Sequence, residues 1–375
     1  MSNVVAAISP ARRSRRRLWW VLGCLAYIAV VVAVLAVGVH RFLYGDVTLL
    51  RVGTSPTALA VSPDGRTIYL ANSNDSITPV SVDTGKAGRP IAISGGIPGS
   101  YNSGPQGLAV TPDGRTLFTT VVSQAGDKQL PLARVDLRTG EETGQVRLPG
   151  GVSSFVLSRE GRTLYAVTAN NALYAVNVAT GRPERRIAVP ASAIGTAMVL
   201  SPDERTIYMA VPGSDGSSDG AVVPINLQTG TAGRAVSVGW EPISLAVTPD
   251  GRTLYAAIDG IYGGIGQVAP NRIVAIDTAT DRVRASIPWK VPPEQLAMTA
   301  SGATVWIMST IGDRGSTADD TLTPVSVASD QPGPSIHTAG WLNADKDEPV
   351  GMTLSPDGRK LYVVVSAGLE TFSSK

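Results

Sequence analysis

One eight-residue unit recurs seven times along this chain, and that recurrence limits the fold more than any other feature. It reads Ser62-Pro63-Asp64-Gly65-Arg66-Thr67-Ile68-Tyr69, then Thr111-Pro112-Asp113-Gly114-Arg115-Thr116-Leu117-Phe118. The third and fourth copies begin Ser158-Arg159-Glu160-Gly161 and Ser201-Pro202-Asp203-Glu204. The fifth and seventh begin Thr248-Pro249-Asp250-Gly251 and Ser355-Pro356-Asp357-Gly358. The sixth has decayed to Thr299-Ala300-Ser301-Gly302. Asp64 and Asp357 lie 293 residues apart over six steps, about 49 residues per step. A period of about 40–50 residues with β patterning signals the blades of a propeller.

The unit has a physical reading. Proline presets the first central position of a tight turn, Asp suits the next, and glycine takes the left-handed conformation that lets a strand resume. Apolar runs such as Ala58-Leu59-Ala60-Val61 precede the turn and predict a buried inner strand. A second strand opens on the aromatic residue. A third strand ends in a second turn signal, as in Val82-Asp83-Thr84-Gly85 or Leu227-Gln228-Thr229-Gly230, and an outer strand follows. The expected fold is all-β: a seven-bladed β-propeller of four-stranded antiparallel blades, preceded by one N-terminal transmembrane helix. The last unit has three strands of its own, the third at Leu369–Ser373, and then the chain stops. Residues 47–52 are expected to supply its outer strand and close the ring, which removes the open edges.

The repeats resemble the YVTN family of β-propeller repeats, found in archaeal surface-layer proteins and many bacterial exported proteins. The motif appears as Tyr69-Leu70-Ala71-Asn72 and more loosely as Tyr165-Ala166-Val167-Thr168, and the likeness spans about Asp46 to Phe372. The resemblance implies the fold and no single activity, since the repeat is a scaffold used for many tasks. Its relatives include lactonase-like enzymes and propeller domains of periplasmic redox enzymes.

The amino-terminal part reads differently. Five arginines, Arg12, Arg13, Arg15, Arg16 and Arg17, precede Leu18–Val39, which carries no charge and no proline. As a helix this stretch reaches about 33 Å, enough to span a bilayer core. The arginines should remain in the cytoplasm and the chain after His40 outside it. The expected organisation is a basic tail (1–17), a transmembrane helix (18–39), a linker (40–45) and the propeller (46–375). Cleavage after Ala36-Val37-Gly38 is the competing reading, and a lipid on Cys24 is a weaker one.

Composition excludes several functions. Five clustered arginines leave 27 basic against 30 acidic residues elsewhere, so no broad basic face for nucleic acid is expected. One cysteine and two histidines rule out an internal disulfide and thiolate metal sites, and leave Ser-His-Asp chemistry only His40 and His337. The long connections, Gly95–Pro105, Val122–Leu130, Val211–Gly220, Ile258–Arg272, Ser309–Thr321 and His337–Pro349, all fall on the face opposite the short turns. Insertions gathered on one face of a repeat ring mark a binding face. Tyr101, Trp240, Tyr262, Trp289 and Trp341 are the contact candidates there. Glu241, Glu294 and Glu348 read as one repeat position at the channel mouth, where a ring of carboxylates suits Ca2+ or another divalent cation. Asp215, Asp219, Asp319 and Asp320 are weaker candidates without the spacing of a recognised calcium loop.

These signals point to a membrane-anchored extracytoplasmic binding or scaffold module for a protein or envelope polymer, with no catalysis and no cofactor expected. Two alternatives stay open: a metal-dependent, lactonase-like hydrolase, and a structural or adhesive surface protein. Oligomeric state is not readable from the sequence.

Overall fold

The computed structural model describes residues 48–50, 56–94, 107–121, 131–190, 197–213, 220–262, 266–267, 269–310, 321–338, 349–365 and 368–374. The expected membrane helix at 18–39 lies outside them, and among the described residues no helix is long and apolar enough to cross a membrane. Val47–Lys375 forms one compact unit.

That unit is a seven-bladed propeller of antiparallel sheets. Strands are lettered a to d from the axis outward. Blade 1 comprises Pro56–Val61, Thr67–Asn72, Ser76–Ser81 and Ile91–Ala92; blade 2, Leu108–Val110, Thr116–Thr120, Leu132–Asp136 and Glu141–Val146. Blade 3 comprises Val152–Leu157, Thr163–Thr168, Ala172–Asn177 and Pro183–Ala188. Blade 4 comprises Met198–Leu200, Thr206–Val211, Gly220–Asn226 and a divided strand d, Thr231–Ala232 with Val236–Gly239. Blade 5 comprises Glu241–Val247, Thr253–Asp259, Arg272–Asp277 and Arg282–Pro288. Blade 6 comprises Pro293–Met298, Thr304–Ser309, Thr321–Ser326 and a divided strand d, Gln331–Pro332 with Ile336–His337. Blade 7 comprises Pro349–Leu354, Lys360–Val365 and Gly368–Ser373, and its strand d is Thr48–Leu50. Thr48 pairs with Thr371 and Leu50 with Leu369, so the two ends of the ring meet within one sheet.

The core lies between blades. Leu59, Ile68, Leu70 and Val80 of blade 1 pack on Tyr362, Val364 and Leu369 of blade 7, with Leu50 against them. Equivalent layers join the other neighbours, the largest running through blades 2, 3 and 4 around Phe118, Phe155 and Leu164. Burial on both faces of the sheets explains why strand b carries a continuous apolar run, such as the five buried residues that follow Lys360 in Lys360–Val365.

Strand d is continuous in blades 2, 3 and 5 and interrupted in blades 1, 4 and 6. The cause is a proline in strand c: Pro79, Pro224 and Pro324. Proline has no N–H to offer strand d, so the ladder cannot continue there. A glycine nine residues later in each blade, Gly88, Gly233 or Gly333, bends in and donates its N–H to the proline carbonyl at 2.7 Å. A Cβ on Gly233 would stand 2.9 Å from the Pro224 ring, so the close approach requires glycine.

The short a–b turns are built alike. Gly65 N–H donates to the Ser62 carbonyl at 2.8 Å, with Gly65 at φ 71°. The Ser62 hydroxyl donates to Asp64 Oδ1 at 2.6 Å and accepts from Thr67 N–H at 2.9 Å. Arg66 N–H donates to the same carboxylate oxygen at 3.0 Å. The pattern repeats at Thr111/Asp113, Ser201/Asp203, Thr248/Asp250 and Ser355/Asp357. In each of the five, the hydroxyl bond is the leading cause that holds the Asp carboxyl below its ordinary range.

These turns also touch one another. In six blades the fourth turn residue faces the second of the preceding turn: Gly65 on Pro356, Gly114 on Pro63, Gly161 on Pro112, Gly251 on Pro202, Gly302 on Pro249 and Gly358 on Ala300. The joint of blades 3 and 4 departs at both positions. Arg159 replaces proline and so has an N–H, and Glu204 replaces glycine and accepts that N–H on Oε1. Glu204 adopts φ 57° to do so, a conformation that L residues other than Asn and Asp rarely hold. Two exceptions to the repeat thus compensate each other across the joint.

Candidate functional site: the loop face

The face opposite the turns carries the start of strand a, the end of strand b, the start of strand c and the end of strand d. Most of its connections lie outside the described residues, and with them Tyr101, Trp341, Glu348, Asp215, Asp219, Asp319 and Asp320. Blade 5 carries the described candidates Glu241 and Trp289. Glu241 opens its strand a directly opposite Asp259 at the end of strand b. Burial, and then the Asp259 charge, push the Glu241 carboxyl above its ordinary range. The b–c connection forms a small hairpin in which Ile261–Tyr262 pairs with Gly266–Gln267; the Tyr262 side chain lies outside the described residues. Asn271 pins the hairpin's base: it is buried, and its Oδ1 accepts the Gly260 N–H at 2.8 Å. A Cβ on Gly260 would fall 1.8 Å from the Ala269 carbonyl oxygen, so only glycine passes there.

The two described tryptophans differ in setting. Trp240 is 8% exposed, a core residue rather than a displayed contact. Its loop position suggested exposure, but the residue is the single link between the strands Val236–Gly239 and Glu241–Val247 and is buried there. Trp289 is half-buried at the end of strand d, packed against the core between blades 5 and 6. Its Nε1 donates to Ser309 Oγ in blade 6 at 2.9 Å. Trp289 therefore presents one edge at the rim and fixes the other across a joint.

The glutamates do not share one repeat position. Strand a carries a bulge in blades 1, 3, 5, 6 and 7, beginning at Pro56, Val152, Pro242, Pro293 and Pro349. Glu241 precedes its proline, whereas Glu294 follows Pro293 and sits in the bulge itself, two positions further along. Glu294 is exposed. The alternation of a strand and the extra residue of the bulge decide the placement, and neither shows in a comparison of Glu-Pro with Pro-Glu. Among the described residues, no group of three or more His, Cys, Asp or Glu is placed to hold a metal ion.

Next to the bulges lie two links that the sequence did not signal. Gln295, 3% exposed, uses its side-chain amide as a substitute peptide: Nε2 donates to the Met352 carbonyl and Met352 N–H donates to Oε1, both at 2.7 Å. Ser244 Oγ accepts the Leu296 N–H at 3.0 Å. Inner strands of blades 5, 6 and 7 are thereby tied in series.

Comparison with known proteins supports this architecture. A solved structure of hydrazine synthase from Kuenenia stuttgartiensis superposes with a TM-score of 0.66 at 21% identity, covering 87% of this chain and 97% of that one. The Cps50 (Swd1) β-propeller domain from Myceliophteria thermophila superposes with a TM-score of 0.63 at 12% identity, covering 88% and 99%. At such identities the likeness carries the fold alone. No protein-family model matches the chain, and no curated protein matches it in sequence. The fold is therefore a seven-bladed β-propeller of antiparallel sheets.

Proposed function

We propose that this chain is a YVTN-type propeller held at a membrane by residues 18–39 and displayed outside the cytoplasm, where its loop face binds a protein or an envelope polymer without catalysis. One observation carries the reading. The seven a–b turns pack on one another as a collar, and five of them reuse one latch, which leaves the opposite face as the place where the repeats diverge. The Arg12–Arg17 cluster supports the orientation.

The test uses the full chain. Replacing Tyr262, Trp289 and Trp341 together with alanine should weaken capture of the partner at least tenfold while the fold persists; hot-spot aromatics carry about 2 kcal/mol or more each. Matched changes at Arg66, Arg205 and Arg252 on the turn face should leave binding intact. The reverse pattern would place the binding face on the turns. A second reading, a metal-dependent hydrolase, draws on the opposed Glu241 and Asp259 carboxylates. Stoichiometric divalent metal in the purified protein, lost on Glu241→Gln, would favour it.

A further inference from the structure

Each blade places an aromatic residue at one position of strand b: Tyr69, Phe118, Tyr165, Tyr208, Tyr255, Trp306 and Tyr362. Where the tip is polar, it can reach the next blade. Tyr255 donates to Asp330 of blade 6 at 2.6 Å, and Arg284 donates to both of them. Phe118 alone has no polar tip.

At that joint, between blades 2 and 3, Arg134 makes the crossing instead. Its Nη1 donates to the Ala179 carbonyl of blade 3 at 3.0 Å, and its Nε donates to Thr143 Oγ1 at 3.1 Å. The guanidinium is thus held in place, and among the described residues its second terminal nitrogen has no hydrogen-bond partner. Beside it opens a cleft of about 720 Å³, within the range of small-ligand sites.

The lining of the cleft is balanced in charge. Arg115, Arg134 and Arg162 face Asp113, Asp136 and Glu160. One oxygen of Asp113 is engaged by the Thr111 hydroxyl and the Arg115 N–H, and one oxygen of Asp136 by the N–H groups of Arg138 and Thr139. The second oxygen of each remains to accept. Glu160 and Arg162 pair loosely at 3.4 Å. The cleft therefore offers strong donors and strong acceptors side by side and no net charge.

We propose that this cleft binds a neutral, polyhydroxylated ligand, one sugar residue of a saccharide. A hydroxyl both donates and accepts, so a vicinal pair can take N–H bonds from a guanidinium while giving its own protons to a carboxylate. A ligand with net charge would meet as many like charges as opposite ones. The site lies on the turn side of the ring and stands independently of the loop-face reading, whose residues are different.

The test titrates full-length protein in detergent with cellobiose, maltotriose and di-N-acetylchitobiose, and with glutamate and inorganic phosphate as charged comparators. At least one saccharide should bind saturably and neither anion should. Arg115→Ala, at an exposed turn position, should weaken that binding about tenfold or more, the value of one charged hydrogen bond, with an unchanged melting temperature. Arg134→Gln should weaken it as well. Three outcomes would each overturn the proposal: no saturable binding by any of the three saccharides, saccharide binding unchanged in both variants, or saturation by phosphate or glutamate in preference to the sugars.

Discussion

The two faces of the ring are made by the same seven repeats and differ in what the repeats specify. On the turn face, a Ser or Thr hydroxyl bonded to Asp locks five of the seven turns within six residues, and neighbouring turns touch. On the loop face, strand ends are joined by segments of unequal length, and the described connections are held by different residues, that of blade 5 by Asn271 and that of blade 1 by Asn72, whose Nδ2 donates to Ser76 and Thr78. A repeat protein can thus hold one end constant while the other end varies freely, because turn geometry is local and each long connection answers only to itself.

The contrast assumes a closed ring, so breaking closure should have the largest effect. Removing Asp46–Val52 deletes the strand that pairs with Gly368–Ser373 and uncovers Leu369 and its neighbours. A chain lacking those residues should aggregate, or melt about 5–10 °C or more below the full chain. Equal melting would show that strand d of blade 7 is dispensable.

Gln295 comes next. Gln295→Ala would strand a buried N–H and a buried carbonyl on Met352, at a cost on the order of 3 kcal/mol. Denaturant titration measures it. Gln295→Glu keeps the acceptor but, when ionised, loses the donor and adds a charge, so it should recover little of the loss.

A smaller effect tests the exception in the collar. Arg159→Pro alone removes the N–H that Glu204 accepts, and Glu204→Gly alone removes the acceptor. The double variant restores the repeat on both sides of the joint. A double-mutant cycle should give a coupling of about 1 kcal/mol, with the double variant as stable as the parent or better. Strict additivity would mean that the two departures are unrelated.

The smallest effects have opposite signs on the two faces. The turn aspartates are held below their ordinary range, so their contribution is present above about pH 4 and fades as pH falls through their folded values. Asp250→Ala should therefore destabilise at pH 7, and the difference from the parent should shrink as pH falls below the ordinary carboxylate range. Glu241 is held above its ordinary range, so its ionisation opposes folding as pH rises. Glu241→Gln should be more stable than the parent at pH 7 and equal to it below about pH 4. Thermal melts across that range would show whether the two faces titrate apart.

Ring size, blade pattern and turn chemistry were legible in the residues themselves. A turn such as Ser62–Thr67 is closed by bonds spanning at most five residues, so composition in a short window is enough. The interruptions of strand d were equally present in the sequence, as a proline followed nine residues later by a glycine, though the signal is recognisable only once strands c and d are known to pair. Contacts between blades were not legible. Trp240 looked like a loop aromatic and is core; Glu294 looked equivalent to Glu241 and is displaced by a bulge; Gln295 and Arg134 gave no local sign of their partners, 57 and 45 residues away. The sequence by itself determined how each blade folds, because hairpins depend on near neighbours and on the burial pattern of each strand. Only the tertiary structure decided what the blades do to one another, because side chains meet across a joint through packing and register that no local pattern encodes.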